Sequence, residues 1–293
     1  MLLFVGAAVV IASVLGGFMI HGGHVLVLNQ PTEFLIIGGA ALGSVLISTP
    51  IKVLKALIGQ LKGLLGSAPA KTDYLDLLAM MYQLFRVIQQ SGIMSLESHV
   101  EKPHESAILS RYPKFLARHE SASFLSDSVK VMILGGISAF DLEALMDEDL
   151  HVHHSEALKA GGAVNKVSDA MPGLGIVAAV LGIVITMGLI DGPPAEIGHS
   201  VAAALVGTFL GILMSYGFLG PLATSLEHRV EDEGRYEQCI KAGLLSVYKG
   251  LPPAIAVEFA RRVLPHDVRP TFDETEAACK GSKVDPAAAA AAA

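Results

Sequence analysis

Four stretches of this chain, residues 2–20, 34–51, 171–190 and 201–219, contain no acidic or basic side chain. Each is long enough to cross a bilayer, which takes roughly 20 apolar residues. A soluble helix of that length almost always carries charge on its solvent face, so the pattern dictates a membrane protein. The rest of the sequence sharpens this. Only 17% of the residues are charged, and all 21 Lys and Arg fall in two blocks, from Lys52 to Lys166 and from Arg229 to Lys283. An ordinary soluble enzyme, a disordered chain and a collagen-like repeat are thereby excluded. The net charge of −7 argues against a nucleic-acid binder.

The first stretch lacks the basic flank and small-residue cleavage site of a signal peptide, so a retained helix is expected. Orientation follows from the basic residues, which concentrate on the cytoplasmic side. The connections 21–33 and 191–200 hold no Lys or Arg and face outward. The expected fold is an all-α membrane protein with four transmembrane helices in two hairpins (1–51 and 170–221). A helical cytoplasmic region (52–169) joins them, and a helical cytoplasmic tail (222–286) comes last. Both termini are cytoplasmic, in the bacterial inner membrane and against its lipid. Residues 287–293 are a low-complexity alanine run. Cys239 and Cys279 lie in the charged blocks and read as reduced cytosolic thiols.

Within the cytoplasmic region, Leu77, Leu78, Met81, Leu84, Phe85 and Ile88 recur at the spacing of one helical face. Ser91-Gly92 interrupts this run, and Pro103 and Pro113 punctuate the stretch beyond it. Helical spacing resumes over 124–150, with Phe140, Leu142, Leu145 and Met146 as expected core positions.

The spans themselves hold no ionisable residue. Glu33, Asp169 and Asp191 are read as interfacial, where a carboxylate is tolerated. A self-contained ion carrier needs a titrating group at membrane depth, so a partner chain is expected to supply it. Small residues are plentiful instead: Gly39 and Gly43, Gly173, Gly175 and Gly182, and Gly207 and Gly211. They permit close helix approach, within the chain or against copies and a partner. Pro172 is expected to begin the third span and Pro221 to end the fourth. Thr208 either faces a path or back-bonds to its own helix. His151, His153 and His154 read as solvated histidines rather than a metal site. No Walker loop, dinucleotide fingerprint, GxSxG, HExxH or CxxC is present, so no enzyme, and no cofactor beyond a coupling ion, is expected.

The segments MPGLGIVAAVLG (171–182), VGTFLGILMSYGFLGPLA (206–223) and PAIAVEF (253–259) resemble the MotA/PomA family of flagellar stator subunits, related to ExbB and TolQ. So do FDLEALMDED (140–149) and the Ser-Leu-Glu triplet ending at Glu97. The resemblance implies a ring, a pentamer, around a MotB dimer whose membrane aspartate carries the coupling ion. It implies torque on the rotor protein FliG. It assigns Pro172 and Pro221 to coupling, Thr208 to the ion path and Glu97 to the rotor interface, with weaker claims for Asp127, Glu143 and Asp149. Where family members carry an arginine eight residues before that glutamate, this chain has Gln89. Arg86, one turn away, is the replacement candidate. Sodium-type relatives carry threonine at the position of Ala179. An alanine there points to protons, because sodium needs several oxygen ligands. An ExbB/TolQ-type energiser of an envelope process is the alternative, as is a membrane scaffold without an ion role. The first hairpin and the Ser-Leu-Glu segment favour the flagellar reading.

Overall fold

Four helices in the computed structural model are long and apolar enough to cross a membrane. The structure describes residues 2–64, 66 and 68–281, so the alanine run lies outside the described residues. Among the described residues there is no strand. The helices are α1 (Leu2–Ile20), α2 (Pro31–Ser48), α3 (Ile51–Gly63), α4 (Lys71–Ser91), α5 (Glu97–Glu101), α6 (Pro113–Leu116) and α7 (His119–Leu134). They continue with α8 (Ala139–Met187), α9 (Pro194–Met214), α10 (Gly220–Tyr248), α11 (Pro253–Arg262) and α12 (Phe272–Gly281). Two units partition the chain: 1–66 with 156–228, and 67–155 with 229–293. The 49-residue α8 contributes to both.

In the first unit α1 buries none of its residues. A helix apolar all round and uncovered by its own chain needs lipid or another protein around it. Pro31 opens α2, its fixed φ suiting the first helical position. The helix stops at Ser48, three residues short of the apolar run. Thr49 precedes Pro50 and is extended (φ −124°, ψ 120°), as a residue before proline prefers. Ile37 and Ala41 of α2 pack into a small core with Met171 and Ala178 of α8 and Val206 and Leu210 of α9. Leu57 and Leu61 of α3 pack on a second cluster of Val164, Ala223 and Leu226. There Gln60 donates to the Ala157 carbonyl at 2.9 Å.

The second unit has the larger core, with α4 at its centre packed by α11 and α12. The expected face of α4 is buried from Leu77 to Phe85, and Ile88 is partly buried. Gly92 (φ +80°) turns the chain out of the helix in a conformation few other residues adopt. The run 124–150 is two helices, because Gly135 and Gly136 both take positive φ and end α7. At the start of α8, Leu142, Met146 and Leu150 are buried. Phe140 is 79% exposed and Leu145 45% exposed, contrary to expectation. The buried positions recur every fourth residue, and Phe140 sits about 200° round the helix from Leu142. Both cysteines are free and buried. Burial pushes the Cys279 thiol up to about 12, so it stays protonated and unreactive.

Candidate coupling site

Helix α8 and helix α9 cross backbone to backbone. A Cβ placed on Gly175 would lie 2.7 Å from the Gly207 carbonyl, and one on Gly182 would lie 2.7 Å from Ala204 Cβ. A Cβ on Gly211 would lie 2.5 Å from the Met171 carbonyl and 3.0 Å from Gly175 Cα. The pairs 182 with 204 and 175 with 211 run in reverse register, so the helices are antiparallel. The close approach that small residues permit is thus used inside the chain by Gly175, Gly182, Gly207 and Gly211. Gly39, Gly43 and Gly173 face open space within 4 Å.

This seam gathers the first group of candidates. Ala179 N would be 3.4 Å from a Cβ on Gly207, and Thr208 is the next residue. Thr208 is partly buried, and its hydroxyl has no hydrogen-bond partner among the described residues. Thr186 of α8 does make such a back-bond to its own helix, donating to the Gly182 carbonyl at 2.8 Å.

No helix begins at Pro172, whereas at Pro221 a helix has just begun. Pro172 lies inside α8, 33 residues after its start at Ala139. Helix geometry, not membrane depth, sets that start, so the span boundary leaves no break. Pro172 has no N–H, which leaves the Ser168 carbonyl without its usual helical donor. Pro221 is the second residue of α10. It follows a π-helical turn, Ser215–Leu219, in which Gly220 N donates to the Ser215 carbonyl. Such a widened turn marks a local irregularity and recurs at functional positions. Ser168 joins the two. Its hydroxyl donates to the Ser215 carbonyl at 3.1 Å and lies 3.3 Å from Ser215 Oγ. Both serines are buried, at 3% and 1% exposed. Sequence reading missed this pair, although Ser168 stands four residues before a proline, where a carbonyl must be left over.

Glu33 is turned into protein rather than towards solvent. It is 6% exposed and its Oε2 has no hydrogen-bond partner among the described residues. That oxygen would be 2.6 Å from a Cβ on Gly207.

The second group of candidates lies in the other unit. Asp127 pairs with Lys130 at 3.0 Å, Glu143 with Lys249 at 3.2 Å, and Asp149 with His153 at 3.6 Å. Glu97 is exposed and Arg86 partly exposed. Neither has an ion-pair partner among the described residues. His151 and His153 are exposed, and no described cluster of His, Cys, Asp or Glu could hold a metal. In the PAIAVEF segment, Glu258 receives Arg261 and Arg262 at 2.7 Å, and the Arg261 bond holds its carboxyl down to about 2. Arg261 also donates to the Pro270 carbonyl at 2.9 Å, so this motif ties α11 to the segment before α12.

Glu237 is 7% exposed and burial pushes its carboxyl up to about 7. Its folded value therefore exceeds the unfolded one, 4.5. The stability it contributes is complete below that unfolded value and is lost as pH rises through the folded one. Glu237→Gln should raise the thermal stability of the purified protein at about pH 8, by up to about 2 kcal/mol, and change little near pH 5. Equal stabilities of variant and wild type at the higher pH would contradict this.

Known proteins share both the sequence and the fold. Residues 4–92 match the family model "Motility protein A N-terminal", and residues 117–238 match "MotA/TolQ/ExbB proton channel family". Motility protein A of Salmonella typhimurium is 42% identical over 277 residues, covering 94% of each chain. That of Escherichia coli gives the same figures. Chemotaxis protein LafT of Vibrio parahaemolyticus is 36% identical over 274 residues, covering 93% of this chain and 96% of LafT. The fold is that of the MotAB structure from C. jejuni (20% identity, TM-score 0.74, covering 90% of this chain and 96% of that one). It is also that of the flagellar MotAB stator complex from Bacillus subtilis (22% identity, TM-score 0.70, covering 87% and 92%). With two family models along most of its length and relatives 42% identical end to end, this chain, a membrane protein and not an enzyme, belongs to the motility protein A (MotA) family.

Proposed function

We propose that the chain is the ring-forming stator subunit of a proton-driven flagellar motor. Copies of it, five on the family's pattern, surround a MotB-type dimer in the inner membrane, with both termini in the cytoplasm. The partner's aspartate takes up and releases the proton. The ring turns around the partner, and the second unit pushes on a FliG-type rotor. The observation that carries this reading is the glycine seam of α8 and α9. Ala179 and Thr208 belong to the two helices of this seam, Pro172 lies inside α8, and Ser168 of α8 bonds to the π turn that precedes Pro221. One hydroxyl and one methyl make a poor cage for a dehydrated sodium ion, whereas a proton needs only a titrating group and water. The uncovered α1 and the open Gly39/Gly43 face supply surface for neighbouring copies and the partner. The domain match over residues 4–92 favours this over an ExbB/TolQ-type energiser. Deleting the gene should leave cells with complete flagella that do not rotate. Missing flagella, or an envelope defect with normal swimming, would contradict the proposal.

Glu97 supports the rotor contact because it is exposed and unengaged, while the other acidic candidates have partners in their own unit. Glu97→Lys should slow swimming with a stability change below about 1 kcal/mol. A charge reversal on the rotor should restore part of the speed, since surface charges act on docking and register. Unchanged swimming would remove Glu97 from the interface.

A further inference from the structure

Glu33 is the one acidic side chain in the first unit's apolar core among the described residues, and no partner there accounts for it. It stands on the first turn of α2, yet it is turned into protein, at 6% exposed. The helices meet there through an apolar core that holds Ile37 on the next turn of α2, Ala178 of α8 and Val206 of α9. Residue 207 is glycine, and a Cβ there would stand 2.6 Å from the carboxyl oxygen, so the absent side chain is what makes room for it. Oε2 has no hydrogen-bond partner among the described residues, and neither does the hydroxyl of Thr208, one residue on. The ionisable groups on the facing helix, Glu196 and His199, lie two to three turns towards the start of α9. α8 carries none between residues 170 and 187. A carboxyl group buried without a partner from its own chain needs one from outside it, a proton, a water or a partner group. Glu33 lies within Val25–Ser48, a stretch long and apolar enough to cross a membrane, and an ionisable group buried in such a stretch marks an ion path by default.

We infer that Glu33 is a proton-binding site on the ion path, contributed by this chain in addition to the partner's aspartate. A hydronium ion gives its proton to the Glu33 carboxylate, leaving water and a neutral carboxylic acid. The acid then returns the proton to a water on the partner's side and becomes a carboxylate again. No electron moves and no other bond changes. The inference rests on the reading of the chain as part of a proton-driven stator.

The test uses the complete stator complex with its partner subunit, in vesicles under a proton gradient. Glu33→Gln keeps the size and removes the titration. It should lower proton flux by at least about tenfold, the usual scale for losing a proton-transferring group, with the partner still co-purifying at the wild-type ratio. Glu33→Asp keeps a carboxyl and should recover part of the flux. Glu33→Gln flux within twofold of wild type overturns the inference. So does failure of both variants to assemble, which would make Glu33 a packing residue. The wild-type control separates the two levels: a wild-type complex that conducts sodium and no protons overturns the proton reading itself, and Glu33 as a proton site with it.

Discussion

Cells carrying Pro172→Ala should assemble flagella and stators at normal levels and fail to swim. The direction of the stability change makes this informative. Proline inside a helix costs about 3 kcal/mol, because its ring crowds the preceding turn and one backbone bond is lost. Alanine would give the Ser168 carbonyl back its donor, so the variant complex should be as stable as wild type or more so. A protein that gains stability and loses rotation would show that the irregularity serves motion rather than packing. The place of Pro172 supports this. It lies one turn from Ser168, whose hydroxyl reaches the π turn before Pro221. Two weakened points on neighbouring helices are thus tied by one side chain, and a tilt of one helix acts on the other. Normal swimming by the variant would end this role for Pro172. Thermal midpoints and stator recruitment measured together would separate loss of motion from loss of protein.

Gly211→Ala should have the largest effect on assembly. The added Cβ would meet the Met171 carbonyl at 2.5 Å and Gly175 Cα at 3.0 Å. Both are backbone atoms of α8, so no side chain can rotate away, and the helices must separate. Overpacking of this kind costs about 1–3 kcal/mol. In the membrane, where close packing is the main attraction between helices, that is enough to lose the seam. Gly175→Ala should act in the same way. The double variant should cost less than the sum, because the first separation already makes room for the second methyl. Gly198→Ala, with nothing within 4 Å of its Cβ, is the control. Wild-type yield and thermal midpoint for Gly211→Ala would show that the seam is looser than these distances require.

Much of this was legible in the residues, and the exceptions have physical causes. Absence of charge marks a span, and α1 covers residues 2–20 as read. Charge does not mark a helix end. α8 runs from Ala139 through the charged region and into the apolar stretch without a break, and Pro172 therefore sits inside it. α2 ends early because Thr49 obeys the proline after it, a local rule stronger than hydropathy. Phe140 and Leu145 misled because apolar identity was read without angular position, and the buried face at that point is 142, 146 and 150. For Glu33, position near a span end suggested water. Only the packing of α2 on α9 shows that the carboxyl faces Gly207. The Ser168–Ser215 link joins residues 47 apart in the chain, a separation across which no local pattern reports.

The ion that drives rotation gives the most direct test of a proton-driven stator. Swimming speed, or the rotation of a tethered cell, would be followed while sodium in the medium is replaced by potassium at fixed membrane potential and pH. Between them Ala179 and Thr208 bring one methyl group and one hydroxyl, too few oxygens for a sodium ion, so protons should suffice. The expected result is full speed without sodium, with collapse when a protonophore discharges the proton gradient. Arrest in sodium-free medium that sodium alone reverses would contradict it.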